Sequence, residues 1–408
     1  MKKIIVNGGK RLSGEISVSG SKNAALPIIF ACILTKGISE IENLPDIGDV
    51  KIALSLLESF GALIEREGNK TMIDTRWLRY VDPDVDLVKK IRASTYLLGA
   101  CLSRFGRCPV MSFGGCNFSL RPIDMHIDAF MKLGARMDGD ALVCDSPHGS
   151  VIEFRKASVG ATVNAVLLAA TADGETVISG CAVEPHIDSL ISFLNSCGAS
   201  ITRHDREIRI SGRSLHGGSI SVIGDMIEAG SYLALSLMTD GNVRILKSPL
   251  FDMKASLDAF SSLGAKICFS DGSLYGSIDD GRYFSVTTAP YPGFPTDLQP
   301  LLAPLMAHQR GGEITDNVWP TRFGYLSSLS PFGVKSTVND NRALIFKSEI
   351  RNGISSAPDL RGGMAALICA LAAEGQSEIY SAETILRGYE GLEEKLCALG
   401  ADIKIKKL

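Results

Sequence analysis

The chain has 408 residues, 45% of them hydrophobic and 21% charged, with a formal net charge of −3. That length supports two domains, each able to bury a core of its own. The near-neutral balance gives no reason to expect nucleic acid or a membrane surface as partner, and apolar runs such as 24–34 and 365–373 are too short to cross a bilayer.

Taken in chain order, MKKIIVNGG lacks the apolar core and cleavage site of a signal peptide and reads as a first strand over Lys3 to Val6. A second strand follows over Glu15 to Val18. Next comes an Ala/Leu-rich stretch ending at Gly37, apolar all round and so expected to be a buried helix. An amphipathic helix ending in FGALIE at Gly61 completes one unit, and the pattern then returns. The second helix recurs as LGARMD (Gly134), CGASIT (Gly198), LGAKIC (Gly264), FGVKST (Gly333) and LGADIK (Gly400), at intervals of 73, 64, 66, 69 and 67 residues. The apolar stretches keep the same beat, with glycines at 37, 106, 174, 241, 312 and 375. Glycine after each helix predicts a left-handed C-cap. The expected fold is α/β: six units, three per domain, with buried helices inside and sheets around them. The domains are expected at 22–229 and at 1–21 plus 230–408, with the active site in the cleft between them. The N-terminal strands then belong with the C-terminal half. Ten cysteines, with no CxxC pair, fit free buried thiols in a reducing compartment, so a cytoplasmic protein is expected.

The unusual polar residues fall at two places in this repeat. One is the entrance to the buried helices: Lys22 and Asn23 in GSKNAA, Arg92 and Ser94 in IRAST, Lys156, Ser158 and Gly160 in KASVGAT, Asp225 and Glu228, Thr296 and Asp297 in GFPTDLQ, and Asp359 and Arg361 in PDLRGG. The other is the loop before the amphipathic helix, which carries Cys116 and Arg121, Glu184, Asp252, Arg322 and Arg387 in turn. Helix N-termini offer unpaired N–H groups and a positive dipole end. With Lys22, Arg92, Arg121, Arg322, Arg361 and Arg387 added, they imply a compact, multiply charged anion as ligand. Taken singly, Ser158 and Thr296 read as N-caps, Asp297 reads equally well as a cap, and Cys116 as a buried thiol. No cysteine or histidine cluster has metal-ligand spacing.

GSKNAALP, RAS, GGC followed by RPIDMH, KASVGAT, YPGFPTDLQ, RF, DLR and RGYE stand in one order along the whole chain, and in this the chain resembles the enolpyruvyl transferases. The resemblance is to the sugar-nucleotide branch, since the branch acting on shikimate phosphate lacks the GGC…RP loop. It implies two inside-out α/β barrels of threefold internal symmetry, no cofactor and no metal. It further implies transfer of the enolpyruvyl group of phosphoenolpyruvate to the 3′-hydroxyl of UDP-N-acetylglucosamine. Lys22, Arg121 and Arg387 would hold the phosphate of phosphoenolpyruvate, Arg322 and Arg361 its carboxylate, with Arg92 serving both substrates. Asn23 and Asp297 would contact the sugar, and Arg121, Pro122, Lys156, Ser158, Val159, Gly160 and Val318 the uridine diphosphate. Cys116 would be the general acid and the thiol modified by fosfomycin, Asp297 the base, and Lys22 and Arg387 the groups that stabilise departing phosphate. Closure of the 112–121 loop would exclude water.

Several positions depart from the family pattern: Met226 where arginine is usual, Pro320 and Thr321 before Arg322, Leu386 before Arg387, and Asn117, Phe118 and Ser119 beside the cysteine. They bear on the acceptor side, so another nucleotide or nucleotide-sugar acceptor is the alternative, followed by a catalytically silent binding protein on the same scaffold.

Overall fold

The computed structural model describes residues 2–114 and 122–408. Chain contacts divide it into two compact units, residues 20–223 and residues 2–19 with 224–408. Each has its own hydrophobic core. The second change of unit therefore precedes the helix Met226–Met238 rather than falling inside it, as expected from residue 230. That helix is one uninterrupted element, buried from Ile227 to Met238, and cannot be shared between two cores.

Six apolar helices form the interiors. The 20–223 unit holds α1 (Lys22–Ala31), α2 (Leu97–Phe105) and α3 (Val159–Ala169). The other unit holds α4 (Met226–Met238), α5 (Gln299–His308) and α6 (Leu360–Ala372), which pack on one another. Their small and branched apolar side chains face protein on every side, as helices apolar all round must. Among the described residues each unit carries three sheets outside these helices, the inside-out α/β arrangement.

The sheets share one plan. The strand after a buried helix pairs in parallel with the strand before it and antiparallel with one strand of a hairpin. Phe284–Thr288, α5 and Gly312–Asp316 show this, with the hairpin Lys335–Asn339 and Arg342–Phe346 alongside. Two sheets take their parallel strand from afar, and in a third Lys2–Gly8 and Asp402–Lys407 stand in place of the hairpin. Ser13–Ser17 precedes α1 in sequence, yet pairs with Asn242–Leu246, the strand after α4. Ser219–Ser221 precedes α4, yet pairs with Ile38–Glu42, the strand after α1. At each crossing the chain finishes a sheet of the unit it is leaving. The sheet Arg107–Pro109, Ala141–Val143, Arg136–Asp138 departs from the plan with three strands among the described residues, and the residues before α2 form the short helix Val85–Val88 where a strand would stand.

All six glycines after the amphipathic helices have positive φ, between 91° and 112°. Those after the buried helices follow the expectation only at Gly106, Gly174 and Gly375. Gly241 yields the left-handed position to Asp240, and Gly312 to Gly311. Gly37 is required for a different reason: a Cβ there would lie 2.4 Å from the Gly217 nitrogen.

The N-terminal strand Lys2–Gly8 lies between Gly375–Tyr380 and Asp402–Lys407, so the first and last strands of the described chain share one sheet. Ile4 and Val6 point from it into the core at 0% exposure. Ile4→Ala is expected to lower stability by roughly 2–5 kcal/mol through the cavity it leaves, read as a shift of the denaturant midpoint.

Candidate active site

In the C-terminal unit three residues that lie far apart in sequence converge. Arg322 donates from Nη1 to Asp297 Oδ1 at 2.6 Å, and Arg361 from Nε to Asp297 Oδ2 at 3.4 Å. Both guanidiniums are buried, whereas the Asp297 side chain is about one-third exposed. Burial works against the charge of Arg322, and Asp297 and Asp359 more than restore it; at Arg361 burial is likewise outweighed, by Tyr389, Asp297 and Asp225. Asp297 does not cap α5, which begins two residues later and has no side-chain cap.

What holds this array is a fourth residue, Asp316, at the end of Gly312–Asp316 and 0% exposed. Its carboxylate accepts from Thr288 and Thr296 hydroxyls, each at 2.6 Å, and from the backbone N–H groups of Val318 and Trp319 at 2.9 and 2.8 Å. Thr296 in turn accepts from Arg322 Nη1 at 3.2 Å. Gln299 ties the same region together, donating to the Arg322 carbonyl and accepting from the Tyr325 hydroxyl. One buried carboxylate thus fixes the segment before α5 and the segment 318–322, where the proposed contacts Val318 and Arg322 stand. Of the departures from the family pattern, Pro320 and Thr321 are exposed in this segment, and Met226 takes the first position of α4.

Arg361 is in the first turn of α6, whose N-cap Asp359 accepts from the Arg361 and Gly362 N–H groups. Among the described residues, Arg361 Nη1 is buried with no hydrogen-bond partner. A buried charged donor left unmatched is costly, and an anion placed there would satisfy it. Arg387 is half-buried after the short helix Glu383–Leu386.

The other unit carries a second group. Lys22 opens α1 with its ammonium 3.3 Å from the buried Asp49 carboxylate, and half-buried Asn23 follows. Ser158 caps α3 through the Ala161 N–H, followed by Val159 and Gly160, while Lys156 and Pro122 are exposed. Arg92 begins the 3-10 turn Arg92–Tyr96 that leads into α2. Beneath these lies Asn164, 0% exposed, whose Oδ1 accepts from the Gly99 N–H at 2.8 Å. That fixes its amide nitrogen as donor to the Thr95 carbonyl and to His126 Nδ1 at 2.9 Å. A Cβ on Gly160 would come within 2.9 Å of the His126 ring, so glycine lets α3 begin against it. Cys116 and Arg121 lie outside the described residues, as do Asn117, Phe118 and Ser119.

Asp316, Asn164, His126 and Asp49 were not singled out from the sequence. Asn164 had a legible signal, a lone amide in the apolar run VGATVNAVLLA; Asp316 had none, since the partners of its carboxylate come from three separate segments. Among the described residues no three His, Cys, Asp or Glu side chains are grouped to hold a metal ion, and no helix is long and apolar enough to cross a membrane.

The family model described as EPSP synthase (3-phosphoshikimate 1-carboxyvinyltransferase) matches residues 6–396. A protein of Prosthecochloris aestuarii named UDP-N-acetylglucosamine 1-carboxyvinyltransferase is 38% identical, over 99% of this chain and 98% of its own. One of Clostridium acetobutylicum, named UDP-N-acetylglucosamine 1-carboxyvinyltransferase 2, is 38% identical over 100% of both chains. Among solved structures, the enolpyruvyl transferase NikO from Streptomyces tendae superposes with a TM-score of 0.89 at 25% identity, covering 100% of this chain and 99% of that one. EPSP synthase from Acinetobacter baumannii shares the fold, with a TM-score of 0.75 at 18% identity over 100% of both chains.

Because Asn164 presents a donor to His126 Nδ1, protonating that nitrogen would set two donors face to face. Burial and then the Arg92 charge push the folded-state pKa of His126 down from 6.5 to about 4. The unfolded chain binds this proton between those values while the folded chain does not. The stability due to neutral His126 is therefore complete above about pH 6.5 and is lost as pH falls toward 4, by about 3 kcal/mol. His126→Gln is expected to flatten that part of the stability–pH curve; an unchanged slope would disprove the assignment.

Proposed function

This chain belongs to the EPSP synthase (3-phosphoshikimate 1-carboxyvinyltransferase) family, and within it we propose that the protein transfers the enolpyruvyl group of phosphoenolpyruvate to the 3′-hydroxyl of UDP-N-acetylglucosamine with release of phosphate. That is the first committed step of peptidoglycan synthesis, and the protein acts in the cytoplasm. The full-length identity to enzymes named for this reaction supports the acceptor. The observation that carries the reading is the pairing of Asp297 with Arg322 and Arg361, with Arg361 Nη1 buried and without a hydrogen-bond partner among the described residues.

In this reading the carboxylate of phosphoenolpyruvate takes the two guanidiniums, as planar donor forks suit a planar anion. It competes with Asp297 for the same donors and so releases that carboxylate to accept the proton of the sugar hydroxyl. Deprotonation makes the oxygen a nucleophile toward C2 of phosphoenolpyruvate, while the methylene carbon gains a proton from Cys116. Return of a methyl proton to the Cys116 thiolate, with departure of phosphate, then restores the C=C bond and forms the enolpyruvyl ether of the sugar. Lys22, Arg121 and Arg387 bind and stabilise the phosphate. Arg92 faces both substrates, Asn23 the sugar, and Pro122, Lys156, Ser158, Val159, Gly160 and Val318 the uridine diphosphate.

Phosphate release from phosphoenolpyruvate is expected with UDP-N-acetylglucosamine and not with UMP or shikimate 3-phosphate. Preference for UMP would move the acceptor to a simple nucleotide, and no release with any of the three would leave a binding protein. Asp297→Ala should lower kcat roughly 10²- to 10⁴-fold. Fosfomycin should add once, at Cys116; an intact-mass spectrum with no adduct, or a peptide map placing it on another cysteine, would defeat the thiol's assignment.

A further inference from the structure

The RGYE stretch contributes more than Arg387. Tyr389 is 2% exposed, and its ring lies under the Arg361 guanidinium, with Cζ 5.3 Å from the ring centroid. Within about 6 Å a buried cation gains from the ring face more than an exposed one does. Gly388 allows this placement: a Cβ there would come within 2.4 Å of the Leu360 side chain. The 387–389 segment therefore lies flush against α6, one residue from Arg361.

The ring is itself pinned at its far end. The Tyr389 hydroxyl is 2.7 Å from Ser231 Oγ on α4. Ser231 has one proton, which goes to the Ile227 carbonyl at 2.6 Å, so the tyrosine hydroxyl is the donor to the serine. A ring that merely filled the core would have no use for a hydroxyl at this depth. This one ties α4 to the arginine of α6.

We propose that Tyr389 is a positioning residue for Arg361, fixed through Ser231, that holds the guanidinium so that Nη1 stays committed to the anionic group of the substrate rather than to the protein. The proposal rests on the reading that Arg361 binds the carboxylate of phosphoenolpyruvate. Asp297 grips Arg361 at Nε, one edge of the fork, and the ring supports its face, which leaves the Nη1 edge for the ligand.

Steady-state kinetics with both substrates on the full chain test it. Tyr389→Leu removes the ring face and is expected to raise KM for phosphoenolpyruvate about 10- to 30-fold, leaving KM for UDP-N-acetylglucosamine within error. Tyr389→Phe keeps the face and loses the anchor, so a rise of about fivefold or less is expected. Ser231→Ala should raise KM for phosphoenolpyruvate to a similar extent, and the double variant should add nothing, because either change alone already removes the Tyr389–Ser231 bond. These last two comparisons decide the matter even if the leucine variant does not fold. An unchanged KM for phosphoenolpyruvate in Tyr389→Leu, equal rises for both substrates, or additive Phe and Ala effects would overturn the proposal. Wild-type protein that releases no phosphate with UDP-N-acetylglucosamine would instead remove the functional reading, and the proposal with it.

Discussion

A carboxylate one-third exposed and gripped by two buried guanidiniums is the constraint from which the C-terminal unit can be understood. Burying Arg322 and Arg361 is expensive, and their attraction to Asp297 offsets that only where geometry and further hydrogen bonds are good. The required geometry is supplied at a distance. Asp316 fixes Thr296 and the 318–322 segment, Asp359 caps α6 so that Arg361 leaves its first turn, and Tyr389 supports that guanidinium from below. Each of these has its own hydrogen-bond partners, which leaves the charged trio little room to relax. Breaking one such pair by removing a partner costs about 3–5 kcal/mol in comparable settings, so the array is also part of what keeps the unit folded.

The helices that present these groups are positioned by their burial. Six apolar cylinders, three to a unit, have no solvent face and settle by packing, while the sheets outside them absorb the differences in loop length. The two reciprocal strand placements follow from the same need. A parallel strand beside the one that follows each first helix completes a sheet, and the chain supplies it before departing: Ser13–Ser17 in one case, Ser219–Ser221 in the other. Near the first departure the buried Glu228 carboxylate accepts from the Ser19 N–H and from Lys395, which also reaches the Ser19 hydroxyl. Burial raises the Glu228 pKa, and Lys395 opposes that shift. This pair holds the end of the C-terminal unit's chain segment in place.

The two groups of site residues differ in how they are supported. In the C-terminal unit charge is matched by charge. In the other unit Lys22 is likewise paired, with the buried Asp49 carboxylate, but the support at the starts of α2 and α3 is neutral: Asn164 spends its amide on Gly99, Thr95 and His126, and a glycine lets α3 rest on the imidazole. A neutral hub does not compete electrostatically with Lys22 and Arg92 for an anion.

The sequence by itself determined the sixfold beat, the buried helices, the left-handed glycines after every amphipathic helix and the identity of the charged residues at the helix entrances. These are legible because periodicity, apolarity and the φ of a glycine are local properties. It also singled out Asp297, Arg322 and Arg361 as candidates. It did not show that they meet, nor that Asp297 pairs rather than caps. Only the tertiary structure decided which strand completes which sheet, that α4 belongs whole to one unit, and that Asp316, Asn164 and Tyr389 contact the candidate residues or their neighbours. Those roles arise when segments tens to hundreds of residues apart are packed together, and no local pattern in the chain records where a buried hydrogen bond will find its partner.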